Sequence, residues 1–275
     1  MSRLLDRNTK QAAILGEPIS FKGLNVFPII VEQYKTFAMC ESALMIRLSA
    51  LPAVYACKQY AQALHSMAWD QKLGDYQRTL WMRFLTLLCL SLHIPIEDAE
   101  KSITLIRGKD DLRILKALLV TQNEKNTRLE IGDLTELRKI IAELNGRELP
   151  DEADNLELVE AEKDVLSASS LNLKVSHEAL LASVARDQRI RMRDLMSWTI
   201  YEFELIRSAM ERERRYTVYG IGEMGGNVKW PNGNPYPSLF FDREKGNAGV
   251  VDAADLQRRL GGAVQQATQL PNFPT

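Results

Sequence analysis

The stretch from Ser197 to Asp242 constrains the fold more than any other part of the sequence. It opens with a helix signal, in which Thr199 is placed to cap and Glu202 follows three residues later as the capping-box partner. It then becomes rich in glycine, proline and aromatic residues, which disfavour regular structure but carry too much aromatic surface for an inert linker. We therefore predict a helix that docks on the body of the protein and ends in the charged run 211–215, followed by an extended aromatic arm.

The overall charge is nearly balanced, since 35 basic residues accompany 36 acidic ones. A chain with a formal net charge of -1 has no overall field that attracts nucleic acid or an anionic membrane. The three cysteines have no CxxC spacing and lie in apolar surroundings, which favours buried thiols over a metal site or a disulfide. No apolar segment follows the mixed-charge first ten residues, so we predict an intracellular protein without a signal peptide.

Periodic apolar positions predict a mainly α-helical fold. Residues 19–27 alternate around Lys22-Gly23 and predict a short N-terminal β-hairpin. Helical spacing follows over 31–45, 53–69 and 76–92, whereas 1–15 is weakly patterned. The pattern over 31–45 fits one helix and a helix with a single break about equally well. The helix over 76–92 is apolar nearly all round, which is typical of the centre of a fold.

Trp81 to Ile96 is the best candidate for a membrane span. It contains Arg83 and His93 and is shorter than the roughly 20 residues that a span needs. We therefore expect a buried core helix and no membrane partner.

The pattern of apolar residues changes after Pro95. Residues 102–107 and 128–131 alternate like strands, and 112–121 fits either a second strand or a short helix. Asp133 is placed to cap a helix over 134–144 that ends at Asn145-Gly146. We interpret residues 96–150 as a small α+β insertion, in which a helix covers a hairpin or three-stranded sheet.

An acidic stretch separates this insertion from the last helices. Residues 151–164 hold seven acidic residues and one lysine, which is typical of a solvated linker. Ser176 then begins a helix with Glu178 in its first turn and a basic far end over 186–194. The predicted regions are an N-terminal helical region with the β-hairpin (1–95), the insertion (96–150), the acidic linker (151–175), a helical pair that completes the body (176–217), and the Gly/Pro-rich arm with a flexible tail (218–275).

No motif in the sequence predicts catalysis, a cofactor or a metal. Gly220 to Gly225 matches G-x-G-x-x-G, but Gly226 to Pro231 forbids the helix that a dinucleotide site needs at that point. His65 and His93 have no second ligand at helical spacing and are typical of core or capping histidines. The basic runs 186–193 and 212–215 are interleaved with acidic residues, which favours a solvated face or an acidic protein partner over nucleic acid.

Two parts of the chain resemble a known family. The segment Asn25-Val26-Phe27-Pro28-Ile29 with Gln33-Tyr34, followed by Ala50-Leu51-Pro52-Ala53-Val54-Tyr55-Ala56, resembles the N-terminal part of proteins from the tail modules of tailed phages and prophages of Gram-positive hosts. The helix from Met196 to Glu211, with the arm around Trp230-Pro231 and Pro235-Tyr236-Pro237, is similar to the later part of phage tail assembly chaperones. The insertion 96–150 has no counterpart in that resemblance.

The resemblance implies a non-enzymatic protein of the host cytoplasm that binds the tape measure protein and helps to recruit tail tube subunits. It also leaves open a structural component of the phage tail or baseplate within the virion, and a homo-oligomer. The third hypothesis is an enzyme or a nucleic-acid-binding protein. The partner-binding residues that we predict are the aromatic side chains on the helix and the arm, a residue type that often anchors interfaces: Trp198, Tyr201, Phe203, Trp230, Tyr236 and Phe240.

Overall fold

The computed structural model describes residues 2–109, 111–152 and 176–226. The predicted fold class is confirmed, because these residues form a mainly α-helical structure with two small antiparallel sheets. The α-helices are α1 (Ser2–Leu15), α2 (Tyr34–Cys40), α3 (Ala53–Ala56), α4 (Tyr60–Ala68), α5 (Asp75–Ser91), α6 (Ala99–Ser102), α7 (Ile131–Leu144), α8 (His177–Asp187), α9 (Met192–Leu195) and α10 (Ile200–Met224). The strands are β1 (Ile19–Phe21), β2 (Leu24–Val26), β3 (Ile103–Arg107), β4 (Leu115–Gln122) and β5 (Lys125–Glu130).

The predicted N-terminal hairpin is present, with Ile19 opposite Val26 and Phe21 opposite Leu24. Lys22 and Gly23 both have positive φ, 52° and 87°, which is the geometry of a two-residue hairpin turn that matches strand twist. Lys22 Nζ also lies 2.9 Å from Asp133 Oδ1 on α7, so the turn is tied to the rest of the protein.

The second sheet has the strand order β3-β4-β5, and both neighbouring pairs are antiparallel. Residues 112–121 were expected to form either a strand or a short helix, and the structure has strand β4 there. Strands β4 and β5 both contact α7. The core runs without interruption from this sheet and α7 to α4 and α5, and so joins the predicted insertion to the predicted N-terminal region.

Several predicted helix bounds are wrong. The helix expected over 53–69 is interrupted between α3 and α4. Over 31–45, where a continuous and a broken helix were both open, the structure has α2 flanked by two 3₁₀ turns, Val31–Gln33 and Glu41–Ala43, which favours the broken alternative. Helix α7 begins earlier than expected, because Glu130 is the N-cap and Asp133 is its capping-box partner. Helix α8 stops at Asp187, near the start of the predicted basic end over 186–194, and Arg189 then has a φ of 56°.

The first and last helices of the described structure also differ from the prediction. Helix α1 occupies the region that showed only weak patterning. Helix α10 continues to Met224, so the arm predicted to begin at 218 is helical for its first residues. Gly220 and Gly222 lie inside this helix, where each costs about 1 kcal/mol relative to alanine without being prohibitive. Gly226, with a φ of 65°, has the left-handed conformation typical of a helix end.

The start of α10 is held against a distant part of the chain. Ile30 and Thr199 form an antiparallel bridge. The amides of Val31 and Glu32 donate to the carbonyls of Trp198 and Met196 at 2.9 and 3.1 Å, and the Ile200 amide donates to the Ile29 carbonyl at 2.8 Å. This ladder fixes where α10 begins.

Thr199 adds a second constraint at the same place. Its Oγ1 accepts the amide of Glu202 at 3.0 Å, which is the predicted helix cap, and donates to the Ala13 carbonyl in α1 at 2.8 Å. The residue is buried, so an unpaired group here would not be compensated by water. One hydroxyl thus caps α10 and attaches α1 to it. The chain divides after Arg207 into two units, and this junction lies wholly in the first.

We predict that Thr199→Val lowers the free energy of unfolding by about 2–3 kcal/mol, because it removes a cap and leaves the Ala13 carbonyl without its donor. Urea denaturation followed by circular dichroism measures this loss. The matched control is Thr217→Val, since Thr217 is exposed in the same helix and bonds only to the carbonyl one turn back, that of Glu213. Equal midpoints for the two variants would contradict the role given to Thr199.

Candidate partner-binding surface

The structure describes half of the predicted partner-binding residues. Trp198 and Tyr201 are half-buried, and Phe203 is fully buried. They follow one another at the start of α10 but point to different surroundings. Trp230, Tyr236 and Phe240 lie outside the described residues.

Phe203 is part of the interior, which corrects its assignment as a surface anchor. Its ring lies edge-on to Tyr34 with the two centroids 5.8 Å apart. The sequence pattern placed it on the apolar side of a helix without showing that the body of the protein covers that side. Phe203 therefore contributes to docking of α10 on α2.

Tyr201 faces the opposite side and borders a cavity of about 460 Å³. Its ring packs on Gly146, which has a φ of 68°, and a Cβ added to that glycine would lie only 2.4 Å from the ring. The cavity is otherwise lined mainly by charged side chains from α1, α7 and the segment after α7: Lys10, Lys139, Glu143, Arg147 and Glu148. Tyr201 is therefore a predicted residue that lies on the wall of a cavity.

A polar cluster lies beneath this part of α10. Glu204 Oε1 accepts from the Tyr34 hydroxyl at 3.0 Å and lies 3.6 Å from Arg147 Nη2, while Oε2 accepts from Arg207 Nε at 2.7 Å. Arg147 Nε in turn lies 2.6 Å from Glu41 Oε1. Sequence reasoning missed this cluster, because its members come from three separate segments of the chain.

The electrostatics of the cluster fit a structural role. Burial and the adjacent negative charge of Glu204 raise the pKa of Tyr34, so its hydroxyl remains a donor at neutral pH. Both oxygens of Glu204 are already engaged by donors or cations, which leaves the carboxylate poorly placed to take a proton from a substrate. The cluster joins α2, the segment after α7 and α10 by charged hydrogen bonds.

An apolar surface adjoins the cluster. Tyr34, Ala38 and Met39 of α2 line a shallow depression of about 280 Å³ together with Lys35 and His177. His177 stacks on Tyr34 with the ring centroids 4.9 Å apart, and Met39 is 59% exposed. We call these five residues the α2 surface. A flexible, polarizable methionine on an exposed helix is a common feature of protein-binding surfaces.

His65 and His93, the two histidines considered above, lie in different surroundings. His65 is buried with Nδ1 3.0 Å from the Arg113 carbonyl, and burial lowers the pKa of its imidazole. His93 follows α5 with a φ of 54° and stacks on Phe27 at a centroid distance of 4.0 Å. Within residues 2–109, 111–152 and 176–226, no group of three or more metal-binding side chains comes together.

Comparison of the chain with family models, characterised proteins and solved structures returned no match. In the described part of the chain, no single helix is long and apolar enough to cross a membrane. Helices over 75–91 and 96–102 reach that hydropathy only when taken together, and they are bent by 116° relative to each other.

We predict that Gly146→Ala lowers the free energy of unfolding by about 2–4 kcal/mol, since the added Cβ strains a left-handed backbone and collides with the Tyr201 ring. The control is Gly23→Ala, where φ is also positive but nothing lies within 4 Å of the added atom. Chemical denaturation of both variants separates collision from backbone strain.

The double variant Gly146→Ala with Tyr201→Ala tests the contact itself. Removing the ring should recover part of the loss, so the two effects are not additive. Additive losses would show that Tyr201 does not pack on Gly146 in solution.

Proposed function

We propose that this protein is a non-enzymatic tail assembly protein, similar to the phage tail assembly chaperones, that binds the tape measure protein in the host cytoplasm. The observation that carries the proposal is the pairing of the two segments on which the family resemblance rests. The first includes Ile29 and Gln33-Tyr34, and the second begins at Met196. They are separated by more than 160 residues in the chain yet are joined by the backbone ladder between 29–32 and 196–200.

The pairing supports the proposal because the two segments that carry the family resemblance, although far apart in sequence, lie side by side in the fold. Glu204 and Tyr34, one from each matched segment, also share a hydrogen bond. The two segments that resemble the family are therefore neighbours in the fold, which is what a shared functional region would require. The function then follows from the family that the segments resemble.

The α2 surface is the place where we propose that the partner binds. A long partner helix presents an apolar stripe with residues at i, i+3 and i+4, and such a stripe docks in shallow apolar depressions. Ala38 and Met39 supply the apolar floor and His177 one wall. Apolar side chains are also exposed near the end of α10, in the second unit, at Val218, Ile221 and Met224.

We predict that co-expression with the protein encoded downstream of the gene yields a soluble complex, and that Met39→Glu weakens its recovery at least tenfold, because a buried charge opposes apolar docking. Quantitative affinity purification measures the recovery. Met82→Glu is the matched control, since Met82 is 61% exposed on α5 and lies outside the α2 surface.

Mass spectrometry of purified particles tests the proposal against the structural alternative. An assembly chaperone should be absent from finished particles, whereas a tail or baseplate component should be present in stoichiometric amounts. Stoichiometric presence would overturn the chaperone assignment. Equal recovery with Met39→Glu and Met82→Glu would instead overturn only the choice of the α2 surface.

A further inference from the structure

A second surface lies away from α10. A half-open cleft of about 680 Å³ is bounded by α3, α4 and the turn that precedes β4. The cleft combines exposed apolar side chains with basic ones: Val54, Trp69 and Ile114 are the former, and Lys58, Lys72 and Arg113 are the latter. None of these residues belongs to the α2 surface.

The basic side chains have unused hydrogen-bonding capacity. Lys58 Nζ donates to Ser66 Oγ at 3.0 Å, which uses one of its three N–H groups. Among the described residues, no hydrogen bond or ion pair engages the Arg113 guanidinium or the Lys72 ammonium. The Arg113 backbone is held in place, however, because its carbonyl accepts from Gln62 Nε2 at 3.0 Å. The cleft therefore contains cationic side chains, and the backbone that carries Arg113 is held in place.

Each of the two carboxylates in the cleft accepts at least one hydrogen bond from the protein itself. Asp70 accepts from the Tyr55 hydroxyl, and from the Lys72 amide at 2.9 Å, while Asp111 accepts from the Arg113 amide at 2.8 Å. The hydrogen bond between Tyr55 and Asp70 raises the pKa of Tyr55 to about 12 and lowers the pKa of Asp70. Asp70 is thus a fixed negative charge, and it would repel a polyphosphate more strongly than a single carboxylate.

The apolar side of the cleft is centred on Trp69. The Arg107 guanidinium lies over the indole, 5.5 Å from its centroid, yet 45% of Trp69 is exposed. Val54 and Ile114 are exposed on the same cleft. Arg113 and Lys72 lie near enough to Asp70 to lower its pKa, but neither makes a direct ion pair with it. A large tryptophan surface beside such cations suits amphipathic side chains of opposite charge.

From this charge complementarity we propose that the cleft binds an acidic segment of a partner protein, in which a carboxylate side chain neighbours a large apolar one. The carboxylate meets Arg113 and Lys72, and the apolar side chain packs on Trp69 and Ile114. The proposal concerns different residues from those of the proposed function and does not depend on it.

The test uses the full chain labelled with ¹⁵N and the peptide acetyl-Glu-Leu-Phe-Glu-amide. The Trp69 indole N–H signal is identified as the one that the variant Trp69→Phe lacks. The acidic peptide should shift this signal saturably, and the sequence with lysine in place of glutamate should not. Arg113→Gln and Lys72→Gln should each weaken the interaction about fivefold, the size of one exposed charge pair.

Arg78→Gln is the matched control, because Arg78 is exposed on α5 and does not line the cleft. Circular dichroism of each variant checks that the fold is retained. The proposal is overturned if the acidic peptide causes no saturable shift at millimolar concentration, if the basic peptide shifts the signal equally, or if Arg113→Gln binds as tightly as Arg78→Gln.

Discussion

The hydroxyl of Thr199 and the short backbone ladder beside it hold the first unit together. The ladder joins residues 29–32 to 196–200, and the hydroxyl bonds both to α1 and to the first turn of α10. Joining segments this far apart in sequence requires closing a long loop, which has an entropic cost that the surrounding burial must offset. Ile29, Ile200 and Phe203 are all buried at this junction and supply that burial.

Buried polar side chains repeat the same arrangement elsewhere. Asn145 accepts the Ile29 amide at 2.9 Å and donates to the Ile141 carbonyl at 2.7 Å. Arg138 on α7 donates to the carbonyls of Leu44 and Ile46 and lies over the Tyr60 ring, 4.1 Å from its centroid. A buried polar group that is fully paired specifies one arrangement of the chain, because any other arrangement leaves it unpaired. The irregular segment between α2 and α3 is ordered in this way.

Local patterns predicted the parts of the fold whose cause is local. The Lys22-Gly23 turn, the Thr199 cap and the Ser176 cap follow from residue types within a few positions, and each is present. The interruption within 53–69 did not follow, because Gln59 caps a new helix that periodicity cannot distinguish from a continuous one. For 31–45, periodicity left both a continuous and a broken helix open, and the turn at Glu41 decides between them. Helix α10 was predicted too short because its glycines were given more weight than its cap and length.

The site could be predicted only in part for a related reason. Tyr201 lies on a cavity wall, and its role as an anchor stays a prediction. Phe203 packs on Tyr34, more than 160 residues earlier, which the local sequence could not show. The cluster of Tyr34, Glu204 and Arg147 and the cleft around Trp69 each combine side chains from separate segments. No local motif marks these residues in the sequence. Their contacts are seen only when the fold brings the segments together. Trp230, Tyr236 and Phe240 remain predictions.

The most direct test of the account is native-state hydrogen exchange of the amides of Val31, Glu32 and Ile200. If the ladder holds the first unit together, these amides exchange only when the whole unit unfolds, with the same opening free energy as core amides in α5 such as that of Leu87. Exchange through a separate opening of much lower free energy would contradict the account, because the unit would then persist after the junction had opened.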